Sequence, residues 1–220
     1  MTTFSQVKNN PLVLEYIKQT QDSLSALSYT DHGIRHCTLV ADRSRSIAKE
    51  LGLSERSQEL AAIAAFCHDM GNFLSRHLHN YLAAVLFQQI FIKDFDPKEM
   101  VLVIQAIANH DKYEMNFTNA ISAIVILADK SDVNRSRVTV EKMEDIKADI
   151  HDRVNYATID SKLKINKNDK RIILSLEIDT KVVPIIEYFE IFTERMVFCR
   201  KAAEFLGYEF GLVINKFKLL

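Results

Sequence analysis

The sequence predicts a mainly α-helical protein, with a helical bundle over residues 1–137 and a small α+β unit over residues 138–220. Two observations carry this expectation. From Pro11 to Lys130 apolar residues recur every three or four positions, the repeat of one helix face. Beyond Thr158 the pattern becomes strict alternation: Ile159, Ser161, Leu163, Ile165, then Ile172, Leu174, Leu176, Ile178.

Asn10-Pro11 opens a first helix that runs to Leu27, with proline where its missing N–H does no harm. Asp31 is the expected cap of a second, ending near Leu51 before Gly52, with His36, Val40, Ile47 and Leu51 on one side. Ser54 caps a third, in which Leu60, Ala64 and His68 recur every four residues, and Gly71 is expected to stop it in the left-handed conformation. A fourth begins around Arg76 and aligns His79, Leu82, Ala83, Leu86 and Ile90. Asp96-Pro97 opens a fifth, whose Val103, Ile107 and His110 align; the sixth is capped at Thr118 or Asn119 and places Ile121, Val125 and Asp129 at intervals of four. A seventh carries Ile146, Ile150 and Val154. The alternating runs then form an antiparallel hairpin about Asn166-Lys167-Asn168-Asp169, a helix from Val183 to Leu206 covers its apolar face, and Glu209 to Phe217 adds a strand.

Composition removes several classes of function. With 28 basic and 29 acidic residues the net charge is -1, so no global field draws the chain to nucleic acid or to an anionic membrane. No apolar run approaches the ~18 residues of a membrane span. Three cysteines without a Cys-x-x-Cys pair make neither a disulfide framework nor a thiolate zinc site, and a cytoplasmic location is expected. The five glycines form no phosphate-binding or dinucleotide-binding loop, and the zinc-protease and serine-hydrolase signatures are missing, so any bound phosphate must be held by side chains or metal.

The informative stretch is Ala61 to Asn72, an apolar helix ending in His68-Asp69. A buried carboxylate beside an imidazole is costly unless a cation compensates. One inward histidine is more often a satisfied core residue, but here His36, His68, His79 and His110 all end apolar faces, and Asp129 takes a core position. Imidazole and carboxylate donors without thiolate suit manganese, iron, zinc, nickel or magnesium. Cys37 and Cys67 project about 100° from their ligand-type neighbours and read as core thiols.

The order His36, then His68-Asp69, then Leu127-Ala128-Asp129-Lys130 resembles the HD superfamily of metal-dependent phosphohydrolases, over about residues 31–137. The resemblance implies an HD-type helical bundle in which His36, His68, Asp69 and Asp129 bind one divalent ion. His79, in His-x-x-x-Ala-Ala, and His110 are similar to the extra histidines of members that hold two metals, such as HD hydrolases of dinucleoside polyphosphates, with Asp69 as the bridge. It also implies a catalytic set of His68, Asp69, His110 and Lys130. Many relatives carry lysine after His-Asp-x-Gly where this chain has Asn72, so Asn72, Arg76, Arg135 and Arg137 are the expected substrate contacts. His32, one turn before His36, is a supporting candidate.

The expected activity is metal-dependent hydrolysis of a phosphate ester or anhydride, on a nucleotide or related small phosphorylated metabolite. The competing reading is a non-catalytic HD scaffold that senses nucleotide or docks a protein. Expected partners are the small substrate and, through the C-terminal unit, a second copy in a homodimer; nucleic acid and membrane are not expected.

Overall fold

The computed structural model describes residues 2–112 and 116–219. The chain folds as α1 Phe4–Lys8, α2 Pro11–Ala26, α3 Ile34–Glu50, α4 Glu55–Cys67, α5 His79–Phe91, α6 Pro97–Asn109 and α7 Ala120–Lys130, then a 3₁₀ turn Arg135–Arg137. The C-terminal part follows as α8 Met143–Ala148, α9 Ile150–Ala157, β1 Thr158–Asn166, β2 Arg171–Ile178, α10 Ile185–Phe205, β3 Glu209–Ile214 and β4 Phe217–Lys218. The mainly helical class with a small C-terminal α+β unit is thus observed. Among the described residues no helix is long and apolar enough to cross a membrane.

Two helices form the spine of the bundle. In α4 every residue from Leu60 to Cys67 is buried, and in α7 every residue from Ile121 to Lys130, so both are enclosed on all sides. α3 packs on both, and α6 packs on both and on α5. α10 crosses back from the C-terminal unit to lie on α7. The sheet runs β1-β2-β3-β4, with β1/β2 and β3/β4 antiparallel and β2/β3 parallel, joined by α10 as a crossover. One hydrophobic core extends from Val7 through the bundle to Ile214.

Five local expectations are corrected. Asp31 does not cap α3: Gly33 is the N-cap, and the Asp31 carboxylate instead accepts from the Gly33 N–H and pairs with Arg35. Gly71 is not left-handed, unlike Gly52 and Gly207. It is required by close approach, since a β-carbon there would stand 2.3 Å from the carbonyl oxygen of His79 and 2.6 Å from the Ala83 nitrogen. The seventh expected helix is two, because Asp149 is extended and its Oδ1 caps α9, accepting from the N–H groups of His151 and Asp152. Ile159 is half exposed while Thr158 is buried, because the β1/β2 register shifts between Thr158 and Asp160 and turns the first alternating residue outward. The last strand is a hairpin, broken at Asn215 and Lys216, which both have positive φ.

α1 had no counterpart in the sequence reading. A five-residue helix is too short for periodicity to detect, and it is held by a Thr3/Gln6 capping box and by the Phe4 ring set edge-on to Phe66.

Candidate metal centre

His68 and His110 are the C-caps of α4 and α6, and Asp129 and Lys130 close α7. Three helix C-termini therefore deliver side chains to one place. The carbonyl ends of helices carry partial negative charge and favour a cation between them. His36 comes from the first turn of α3 and His79 from the first residue of α5, and all of these residues except Lys130 and Asp129 are less than 4 % exposed.

The donor atoms fall into two groups that share Asp69. In the first, His36 Nε2 lies 3.3 Å from His68 Nε2, 3.6 Å from Asp69 Oδ2 and 3.3 Å from Asp129 Oδ1. His68 Nε2 lies 3.1 Å from Asp69 Oδ2 and 3.6 Å from Asp129 Oδ1. In the second, His79 Nε2 is 3.2 Å and His110 Nε2 3.5 Å from Asp69 Oδ1, and the two imidazole nitrogens are 3.1 Å apart. Ligands held about 2.0–2.2 Å from one ion at tetrahedral or octahedral angles stand roughly 3.0–3.6 Å from each other, so both groups have the spacing of a coordination sphere.

The tautomers point the same way. His68 Nδ1 is 2.6 Å from the Ala65 carbonyl, His79 Nδ1 2.9 Å from that of Arg76, and His110 Nδ1 2.7 Å from that of Ile107. A carbonyl only accepts, so each Nδ1 carries a proton and each Nε2 is the ring atom turned inward. His36 Nδ1 is 2.7 Å from Asp132 Oδ2, an imidazole–carboxylate pair of the kind that orients metal ligands. Four Nε2 atoms thus converge with carboxylate oxygens, a donor set that suits a divalent cation.

Electrostatics follow from this crowding. Burial opposes ionisation of Asp69, but His68, His110 and His79 hold it well below the usual carboxylate range. Burial likewise opposes the charge on Asp129, which Lys130, His36 and His68 overcome in the same direction. Burial disfavours the His68 cation, yet Asp69 and Asp129 raise its pKa to about 10, so metal uptake must expel a proton there. His110, where burial dominates, is lowered to about 4.

The centre opens into a cavity of about 230 Å³, lined by Asp69, His79, His110 and Asp129 and by Arg76, Lys130, Arg137 and Arg195. Lys130 Nζ is 2.8 Å from Asp129 Oδ2 and 3.2 Å from Asp111 Oδ1, so it holds the outer oxygen of Asp129 while the inner one faces the histidines. Arg76 Nη1 donates to Asn72 Oδ1 at 2.8 Å. Asn72 itself is buried and donates to Asp69 Oδ1 and to the Asp69 carbonyl, both at 2.9 Å, so its amide is committed to Asp69 and does not line the cavity. Arg137 lines the cavity with its Nη groups on the carbonyls of Asp132 and Asp31. Arg135 is placed elsewhere: its Nε donates to the Tyr156 carbonyl and its guanidinium lies 4.4 Å from the Tyr156 ring centre. His32, behind His36, donates from Nδ1 to the Thr30 carbonyl and lines the cavity.

Asp132, expected from the sequence only as an acid that pairs with nearby basic residues, does face Arg137 but also holds His36. Two further residues belong to this region and escaped the sequence reading. Asp111 is an acid next to an inward histidine and was visible as such. Arg195 is the harder case, a charge beside Phe192 and Met196 on the buried side of α10, where an apolar residue is the norm.

The HD domain family matches residues 33–157, which is more than half of the chain. An uncharacterized protein of Methanocaldococcus jannaschii is 25% identical over 191 residues, an alignment that covers 76% of this chain and 72% of that protein. The matched segment includes all six converging donors, from His36 to Asp129, and the chain belongs to the HD domain family.

Proposed function

We propose that this protein hydrolyses a phosphate ester or anhydride of a nucleotide or related small phosphorylated metabolite, with divalent metal at the centre described above. One observation carries the reading: the two oxygens of Asp69 face two separate histidine groups, Oδ2 toward His36 and His68 and Oδ1 toward His79 and His110. Such a carboxylate suits a bridge between two sites. His36, His68, Asp69 and Asp129 would hold one ion, and Asp69, His79 and His110 a second. A divalent ion bound there supplies a lowered water pKa and a polarised phosphoryl oxygen.

The chain's own residues supply the rest. Asp132 and the carbonyls of Ala65, Arg76 and Ile107 hold the four rings by Nδ1 and turn each Nε2 toward the carboxylates, which suits His110 to ligation rather than to proton donation. Lys130 stays charged, because Asp129 and Asp111 outweigh the burial that would lower its pKa, and it fixes Asp129. Arg76 and Arg137 put further positive charge on the cavity wall, where negative charge grows on the transferring phosphoryl group.

The test is a panel of phosphomonoesters, cyclic nucleotides and nucleoside polyphosphates incubated with the manganese-loaded protein and scored for released phosphate or nucleoside monophosphate. Turnover that vanishes in His68→Ala together with the bound metal supports the reading. Full activity in a metal-stripped sample sinks it, and tight nucleotide binding without any turnover favours the sensor instead.

A further inference from the structure

The catalytic cavity has a neighbour. A second cavity of about 410 Å³ is lined by Tyr29, Thr30, Asp149 and His151, and it shares His32, Arg76 and Arg195 with the first. The inner cavity alone, about 230 Å³, is below the ~300 Å³ at which small-molecule sites begin. It has room for a phosphate group rather than for a whole metabolite.

The shared wall is built to hold an anion. The guanidinium of Arg195 is 4.7 Å from the Phe192 ring centre, and among the described residues it has no hydrogen-bond acceptor and no carboxylate partner. Burial lowers its pKa, the mark of a desolvated cation, and an arginine in that position keeps its charge. Half-buried and without an acceptor among the described residues, its fork of five donors is open to a ligand at the shared wall. Arg76, across the same wall, uses Nη1 on Asn72 and His79. The outer cavity differs in character. The Tyr29 ring is 42% exposed, and Asp149 spends Oδ1 on the first turn of α9, leaving Oδ2 without a partner among the described residues.

We propose that Arg195 is a substrate-binding residue contributed by the C-terminal unit, and that the substrate is a phosphomonoester. Its phosphate sits in the inner cavity against Arg195 and Arg76, and its neutral, donor-bearing ring lies in the outer cavity between Tyr29 and Asp149. The free Oδ2 of Asp149 favours a hydrogen-bond donor on that ring, such as the exocyclic amine of a nucleobase. This rests on the phosphohydrolase reading for the fate of the substrate, but not for its binding. Arg195 lies outside the matched residues 33–157.

Calorimetric titration of the manganese-loaded protein with inorganic phosphate and with the non-hydrolysable phosphonate analogue of adenosine 5′-monophosphate tests it without reference to turnover. Arg195→Met should weaken phosphate binding about tenfold or more, the loss of a charge-assisted contact, with bound manganese and melting temperature unchanged, and Arg195→Lys should recover part of the loss. Tyr29→Ala should weaken the nucleotide more than phosphate. Phosphate affinity equal in Arg195→Met and wild type, or a wild-type protein that binds neither probe, overturns the proposal. So does the phosphonate analogue binding no tighter than phosphate. A protein that binds both probes as expected but releases phosphate from no ester refutes the hydrolase reading and leaves this one standing.

Discussion

Gly71 lies directly under the first turn of α5, so close that a single added carbon would stand 2.3 Å from the His79 carbonyl oxygen. The two nearest atoms, that oxygen and the Ala83 nitrogen, belong to the backbone and cannot swing aside. Gly71→Ala should therefore displace the start of α5, lower stability by about 1–3 kcal/mol, the usual cost of overpacking, and impair metal binding at the His79 group first. Denaturant unfolding combined with metal analysis checks this; an alanine variant with wild-type stability and metal content contradicts it.

The shared carboxylate predicts a pattern of stoichiometry. Asp129→Ala should remove the ion held with His36 and His68, His110→Ala the ion held with His79, and Asp69→Ala both. Elemental analysis of the three purified variants should show partial, partial and complete loss. Equal, complete loss in all three would mean a single ion.

Asp132 does not line the metal-centre cavity but holds His36 Nδ1, and it is paired with Arg35 and faces Arg137. Burial opposes its charge, and the His36 hydrogen bond with the two arginines holds it ionised far below the usual range. Asp132→Asn should weaken metal binding by about 10–100-fold, the usual effect of losing a ligand's supporting partner. Competition with a chelator of known affinity measures it, and an unchanged affinity would show that His36 is aimed by packing alone.

Removing the metal should also destabilise the fold. The convergent lone pairs and carboxylates lose their compensating charge, and a ligand present at a hundred times its dissociation constant contributes about 2.7 kcal/mol. A melting temperature that does not fall on chelation would argue that these residues satisfy one another.

Away from the centre, Arg56 binds Glu99 with a paired fork and holds the Thr2 carbonyl, tying the N-terminus to α6. The Arg56 hydrogen bond, against a smaller opposing effect of burial, depresses the Glu99 pKa below its ordinary 4.5. A depressed folded value means the contribution is present above about 4.5 and is lost as pH falls through the folded value. The stability gap between wild type and Glu99→Gln should be full at pH 7 and close in acid. A gap independent of pH would deny the ion pair its role.

The helices and the hairpin could be read from periodicity because burial on one face leaves a repeat of 3.6 or 2. The six donors could be read for the same reason: His36, His68, His79, His110 and Asp129 each end an apolar stripe, and Asp69 follows one of them. Where the reading stopped, the determinant was not periodic. The register shift beside Ile159 and the break at Asp149 depend on hydrogen bonds made by single residues. Arg135 and Arg137 stand two apart in one basic run, and only the tertiary fold sends one to the cavity and the other to Tyr156. Arg195 is 66 residues beyond Asp129, and no local pattern links them.

The four imidazoles are not held alike. His68, His79 and His110 each rest on the carbonyl three residues earlier, so their aim is set by their own turn of chain, whereas His36 depends on an acid 96 residues away. Three of these rings are therefore in position once their own turns have formed, while the fourth waits for α3 to dock beside Asp132. Damage to that docking would leave the His79 and His110 group intact and spoil only the group that contains His36.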